Sequence, residues 1–327
     1  MSARVLYIVS ASVVLACHGA PAAPVAARES SAAETRVRDD IFYLADPARE
    51  GRGVGSLGSA AAARFIAARY RDLGLDGGFD EDCSTPPRCR STFFQSFDVD
   101  GKPARNVVAM VRGTDSLLAG QYVLVGAHYD HLGLSPMFAN DPQLGIAVRP
   151  GADDNASGTV AVLELARRLA ARRTARSILF VSFDAEEPGM LGSELFVRYP
   201  PAALESIVLM LNLDMVGRLR RRDLLIDGSG ASEPLRAMAD SVAKAKSVRS
   251  VRWSGSVGRS DHATFSAMHV PSIMLTSGEH TDYHRVSDVA ARIDVSGMVR
   301  VIDVAEGIIR AAASPGWAPP PRRRAAP

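Results

Sequence analysis

The sequence predicts an α/β fold: a three-layer sandwich whose central, mostly parallel mixed sheet is flanked by helices. Two observations carry this. Short apolar, β-prone runs, among them Tyr122 to Ala127, Ile178 to Phe183 and Ile207 to Asn212, alternate with amphipathic helical stretches. Those three runs also end at residues of metal-binding type, and in open α/β sheets ligand sites lie beyond the carboxyl ends of the strands. The chain is 47% hydrophobic and 23% charged over 327 residues, enough for a sizeable core. Its net charge of +2 gives no indication of a nucleic-acid partner, which would need a concentrated basic face.

Taken in order, Ser2-Ala3-Arg4 and the apolar run Val5 to Ala16 read as an export signal, too short to span a bilayer. Val14-Leu15-Ala16-Cys17 resembles a bacterial lipobox with Cys17 as lipid anchor; ordinary cleavage near Val25-Ala26-Ala27 is the alternative. Both predict an exported protein: periplasmic, outer-membrane lipoprotein or secreted. Residues 1–27 are thus assigned to a signal segment and 28–33 to a disordered tether. Cys83 and Cys89 are expected to close a loop disulfide in an oxidising compartment, two free thiols being the alternative.

A helix is expected from Glu34 to Leu44, then the glycine-rich Glu50-Gly51-Arg52-Gly53-Val54-Gly55-Ser56, then a helix from Ser59 to Leu73 stopped by Gly74. Asn106 to Val111 reads as a strand, and 132–150 as a long loop. Val160, Leu163, Ala166 and Leu169 share one face of a helix over Ser157 to Arg172. Pro234 sits in the first turn of another helix, Ser272 to Leu275 is a short strand, and Asp294 caps a last helix to about Ala312. The Pro/Arg-rich end, 313–327, reads as a disordered tail.

The chemistry lies in His128, Asp130, the pair Asp153-Asp154, the pair Glu186-Glu187, Asp214 and His284. Imidazole and carboxylate donors together suit zinc. Two imidazoles and three carboxylates exceed what one catalytic zinc needs; with one carboxylate shared, the set suits two ions roughly 3.5–4 Å apart. One acid of Glu186-Glu187 then remains as general base. Asp154 and Asn155 are read as helix caps, His131 and His280 as loop or pocket-wall residues, and Arg218 to Arg222 as a solvated basic turn.

Gly-Ala-His128-Tyr-Asp130-His-Leu-Gly, Gly-Ala-Asp153-Asp-Asn-Ala-Ser-Gly, Ala-Glu186-Glu187, Asn-Leu-Asp214-Met and Tyr-His284-Arg-Val-Ser-Asp288, in this order, resemble the co-catalytic di-zinc exopeptidases, which include bacterial leucyl aminopeptidases, aminopeptidase Y and glutamate carboxypeptidase II. The likeness spans about 35–312, making 34–312 the catalytic domain. It implies two zinc ions per chain, one held by His128, Asp153 and Asp214, the other by Asp153, Glu187 and His284. It also implies Glu186 as general base, Asp130 orienting His128, Asp288 acting similarly near His284, and a non-proline cis peptide after the bridging acid, at Asp153–Asp154. Tyr283 and His262 are candidate substrate contacts. The implied activity is a monomeric aminopeptidase acting on peptides or small aminoacyl compounds. A single-zinc glutaminyl cyclase is the alternative on the same fold. An α/β serine hydrolase is remote, since Val54-Gly55-Ser56-Leu57-Gly58 lacks the first glycine of the nucleophile elbow and follows no strand.

Overall fold

The computed structural model describes residues 25–80, 91–220, 223–228, 232–253 and 260–320. Cys17, Cys83, Cys89 and most of the signal segment lie outside the described residues. Among the described residues eleven strands occur: β1 (Asp76–Gly77), β2 (Phe79–Asp80), β3 (Ser91–Thr92), β4 (Phe94–Val99), β5 (Lys102–Val111), β6 (Tyr122–His128), β7 (Ser177–Phe183), β8 (Ile207–Leu213), β9 (Leu224–Asp227), β10 (Ser250–Arg252) and β11 (Ser272–Thr276). The helices are α1 (Val25–Leu44), α2 (Leu57–Asp72), α3 (Gly158–Ala171), α4 (Leu191–Arg198), α5 (Glu233–Ala245), α6 (His262–Ala267) and α7 (Val295–Ala312).

The main sheet runs β1-β5-β7-β6-β8-β11-β9-β10, with β4 paired to β5. Its centre is parallel, β7-β6-β8-β11, and buried at every position but Tyr122, as near-continuous apolar strands require. β5 and β9 run antiparallel to their inner neighbours, so the sheet is mixed as expected. The register sets His128 opposite Phe183 and Gly126 opposite Asn212. His128, Asp184 and Asp214 therefore emerge at one edge. On one face α1, α2, α3, α5 and α7 cover the sheet with a large aliphatic core. On the other, Phe183, Phe196 and Phe265 cluster beneath α4 and α6.

Two expectations at the ends change. Residues 28–33 are not a free tether: the helix expected from Glu34 begins at Val25, and Ala33 and Val37 are already buried in the core. Nor is the start of the C-terminal stretch loose. Arg176 Nη1 donates to Ala312 O at 3.1 Å and Nη2 to Trp317 O at 3.0 Å, while Ala313 is buried. No helix among the described residues is long and apolar enough to cross a membrane.

α1, α3 and α7 meet around Glu164. Its carboxylate accepts from Arg36 (3.1 Å), Arg167 (2.8 Å) and Arg168 (3.0 Å), and Arg168 reaches on to Asp303 (2.6 Å) and Glu306 (3.1 Å) of α7. Burial works against the Glu164 charge, but the three guanidinium groups outweigh it and hold its pKa down to about 2. A depressed carboxylate pKa contributes stability above its unfolded value, about 4.3, and that contribution is lost as pH falls towards 2. Glu164→Gln is accordingly expected to flatten the fall of melting temperature between about pH 4.5 and pH 2. Wild-type and variant curves that stay parallel across that window would exclude the effect.

Candidate metal centre

Asp154, not Asp153, is the acid at the centre of the site. Its Oδ1 lies 3.4 Å from His128 Nε2, and its Oδ2 lies 3.1 Å from His284 Nε2 and 3.8 Å from His131 Nδ1. Two groups of donors share it: His128, Asp154 and Asp214 on one side, and His131, Asp154, Glu187 and His284 on the other. Within each group the donor atoms all lie within 4.8 Å of one another. His128 Nε2 is 3.5 Å from Asp214 Oδ1, and His284 Nε2 is 3.2 Å from Glu187 Oε2.

Asp153 turns away into the protein. Its Oδ1 accepts from Gly217 N–H at 2.6 Å and its Oδ2 faces His280 Nε2 at 3.1 Å. The sequence places two equal carboxylates side by side, and the backbone through Asp154 (φ −106°) and Asn155 (φ −132°) is not helical, so neighbouring side chains diverge. The turn's small residues are required by contact. Gly151 has φ 57°, and a Cβ there would meet Asp154 O at 2.2 Å and the His131 ring at 2.5 Å. The cis peptide is Asp154–Asn155 rather than Asp153–Asp154. Of the two expected caps only Asn155 serves: its Oδ1 accepts from Gly158 N–H at 2.9 Å and Met215 N–H at 3.2 Å.

A second layer of polar groups holds this turn. Asp288 does not orient His284. Its Oδ2 accepts the Asp153 and Asp154 amides at 2.8 and 3.1 Å, and its Oδ1 accepts from Arg218 at 2.8 Å. Arg218 is therefore no solvated turn residue: it is buried, with a second contact to Asp282 at 3.1 Å. His284 is oriented instead by Phe138 O, 2.8 Å from its Nδ1, which leaves Nε2 for the site. His128 Nδ1 is 3.3 Å from the Asp130 carbonyl and 3.7 Å from its carboxylate. That carboxylate mainly holds the Glu186 and Glu187 amides, at 3.0 and 3.3 Å. Asp130 thus positions both the imidazole and the two-glutamate turn.

Ala185, Met215 and His284 all have left-handed backbones, with φ of 57°, 54° and 55°. Such conformations cost non-glycine residues of the order of 1–3 kcal/mol each and gather at functional sites. Here they flank Glu186, follow Asp214 and carry the His284 donor.

The electrostatics suit a cation. Burial disfavours a charged His284, yet the Asp154 and Glu187 carboxylates outweigh it and push the imidazole up to about 11. Burial, reinforced by Glu187, Asp261 and Asp214 against the pull of His128, drives Glu186 well above the usual carboxylate range. Buried Asp214 Oδ1 lacks a hydrogen-bond partner, as a donor atom aimed at an ion would. His131 joins the site, contrary to its expected place in the wall: its Nδ1 is 2.6 Å from Glu187 Oε1. Tyr283 stacks on His284, ring centroids 3.9 Å apart. His262, by contrast, is buried at the start of α6, 3.4 Å from Asp227.

Arg52 is the other support that pattern reading passed over. It is fully buried and donates to four carbonyls: Tyr129 (2.6 Å), Leu44 (2.8 Å), Pro150 (2.7 Å) and Gly151 (2.8 Å). It ties the β6 exit to the start of the Asp153-Asp154 turn. Burial lowers its pKa to about 10, with Asp130 and Asp154 pulling the other way, so it stays charged at neutral pH. Arg52→Met would strand four buried acceptors. It is expected to cost at least about 3 kcal/mol in urea unfolding; a loss below about 1 kcal/mol would show the network to be dispensable.

The family model for "Peptidase family M28" matches residues 106–309. The uncharacterized protein YfbL of Escherichia coli K12 is 29% identical over 247 residues, covering 64% of this chain and 71% of its own. A probable leucine aminopeptidase of Trichophyton verrucosum is 30% identical over 219 residues, covering 62% of this chain but only 55% of its own. Among solved structures, an aminopeptidase from Aneurinibacillus sp. strain AM-1 superposes with a TM-score of 0.68 at 17% identity, covering 89% of this chain and 98% of that one. A Bacteroides thetaiotaomicron glutaminyl cyclase does so equally well, at 18% identity over 86% of this chain and 97% of its own, so these likenesses establish the fold alone. The match over most of the sheet, from β5 through α7, makes the chain a member of peptidase family M28.

Proposed function

We propose that the protein is an aminopeptidase dependent on two zinc ions. The observation that carries this reading is the Asp154 carboxylate set between two imidazole-bearing groups. His128, Asp154 and Asp214 would hold one ion, and Asp154, Glu187 and His284 the other. His131 would fix Glu187 Oε1, leaving Oε2 for the ion. Zinc in such a pair supplies Lewis acidity to the scissile carbonyl and lowers the pKa of water. The chain's own residues do the rest. Glu186 lies 4.0 Å from His128 Nε2, outside both donor groups, with its amide pinned by Asp130. Its carboxylate would take the proton of the attacking water and deliver it to the leaving amine. The acids around it favour a substrate with a free ammonium group next to the scissile bond. An exported location, argued from the apolar start of the chain, belongs to the same proposal.

The test is a panel of aminoacyl p-nitroanilides with metal analysis. Hydrolysis is expected, abolished by a chelator and restored by zinc, with two zinc ions per chain. One zinc per chain together with cyclisation of N-terminal glutamine would instead make the protein a glutaminyl cyclase.

A further inference from the structure

Beside the metal-site turn lies a small cavity of about 160 Å³, lined by Arg218, Arg220, His280, Thr281, Asp282 and Arg292. Three stretches of chain meet there: the segment after β8, the segment after β11 and the approach to α7. Arg218 and Asp282 are buried and make its floor, while Arg220, Thr281 and Arg292 are exposed and make its mouth.

The acids around this cavity are already spent. Asp282 Oδ2 accepts from Arg218 at 3.1 Å, and its Oδ1 accepts from Arg292 at 2.6 Å and Ser287 at 2.7 Å. Burial opposes the Asp282 charge, but Ser287, Arg292 and Arg218 outweigh it and hold the pKa down to about 2. Asp288 accepts from Arg218 on one oxygen and from two backbone amides on the other. Asp294 Oδ2 accepts the Arg220 amide at 2.7 Å and its Oδ1 the Gly297 amide at 3.0 Å. The arginines, in contrast, keep donors in hand. Arg218 is only 5% exposed, yet its Nε has no hydrogen-bond partner among the described residues. A buried donor is rarely left so. Among the described residues, the Arg220 guanidinium reaches only the Arg292 carbonyl, at 3.5 Å. Arg292 gives Nη1 to Asp282 and keeps its side chain 51% exposed. Arg300 brings a fourth guanidinium, its Nη2 donating to Arg220 O at 3.0 Å.

We propose that this cavity is a binding site for a small divalent oxyanion, of the size and charge of inorganic phosphate or sulfate. Guanidinium groups present a fork of N–H donors that matches such oxygens. The lining holds three arginines and one aspartate, an excess of two positive charges that one divalent anion neutralises. No apolar side chain lines the cavity to receive an organic group, and its volume of about 160 Å³ suits an anion with a few waters. None of the metal donors lines it, so the site is separate from the metal centre and does not depend on the aminopeptidase reading. An anion on Arg218 would brace the group that holds Asp288, and through Asp288 the Asp153 and Asp154 amides.

The test titrates the zinc-loaded protein with sodium sulfate, and with sodium chloride at matched ionic strength, following heat of binding and melting temperature. Saturable sulfate binding is expected, raising the melting temperature by about 2–4 °C at ten times the dissociation constant, with no such effect of chloride. Arg220 is exposed, so its variants should keep the fold. Arg220→Ser is expected to weaken sulfate about fivefold or more, Arg220→Glu to abolish its binding, and Arg220→Lys, which keeps the charge, to weaken it less than threefold. Zinc itself attracts oxyanions, and the same variants separate that source: sulfate held by the metals would bind the Ser and Glu variants as it binds wild type. Sulfate that acts no differently from chloride, or binding unmoved in Arg220→Ser and Arg220→Glu, would overturn the site.

Discussion

Glu186→Gln is expected to keep both the fold and the full metal content while losing turnover by about 10²–10⁴-fold, the usual worth of a general base. The amide is isosteric with the carboxylate but cannot take a proton. Glu186 lies outside both groups of metal donors, so the change removes no ligand. Its backbone amide bonds to Asp130, an anchor that a side-chain change does not touch. The neighbouring Glu187→Gln is the contrast. Glu187 meets His131 at 2.6 Å and His284 at 3.2 Å, so that variant should lose metal along with activity. Measuring kcat beside zinc per chain separates the two. Turnover within tenfold of wild type for the Glu186 variant would remove it as the base.

The fold was legible because its signals are periodic and long. β6, β7 and β8 are continuous apolar runs, and each delivers a functional residue at or beyond its last position: His128, Glu186-Glu187 and Asp214. The failures share a physical cause, which is that side-chain direction in irregular backbone has no period to read. His131 reads as a loop residue because its approach to Glu187 depends on the turn that Arg52 and Gly151 impose. In one dimension His262 reads as a substrate contact and Arg218 as part of a solvated turn. They are buried because α6 packs beneath the sheet edge and because Asp282 and Asp288 return from far along the chain to pair with Arg218. The charge on Arg52 hides a structural role, since its partners are four carbonyls and no acid. Left-handed Ala185, Met215 and His284 carry no signal in residue type. Loop 132–150 could be recognised as a loop, but what stiffens it is buried Arg149 donating to the Ser135, Ala147 and Asp141 carbonyls, which a sequence does not display.

The sharpest consequence concerns the adjacent acids. Asp154→Asn is expected to abolish binding of both ions, because its two oxygens face different imidazoles: Oδ1 towards His128 and Oδ2 towards His284. An amide offers one neutral oxygen in place of two anionic ones and cannot serve both sides. Zinc per chain should fall from two towards zero, and turnover below detection. Asp153→Asn changes an equally buried carboxylate one residue away, yet its partners are Gly217 N–H and His280. Its amide oxygen can still accept from Gly217, so the expected cost is in stability, about 1–3 kcal/mol from the disturbed buried bonding, with metal binding retained. The backbone turn survives in both variants, since Asp288 holds the two amides and not the two side chains. Metal titration of the pair therefore separates the two carboxylates directly. Loss of both ions in Asp153→Asn with retention in Asp154→Asn would move the bridge back to Asp153 and require the turn to rotate on loading.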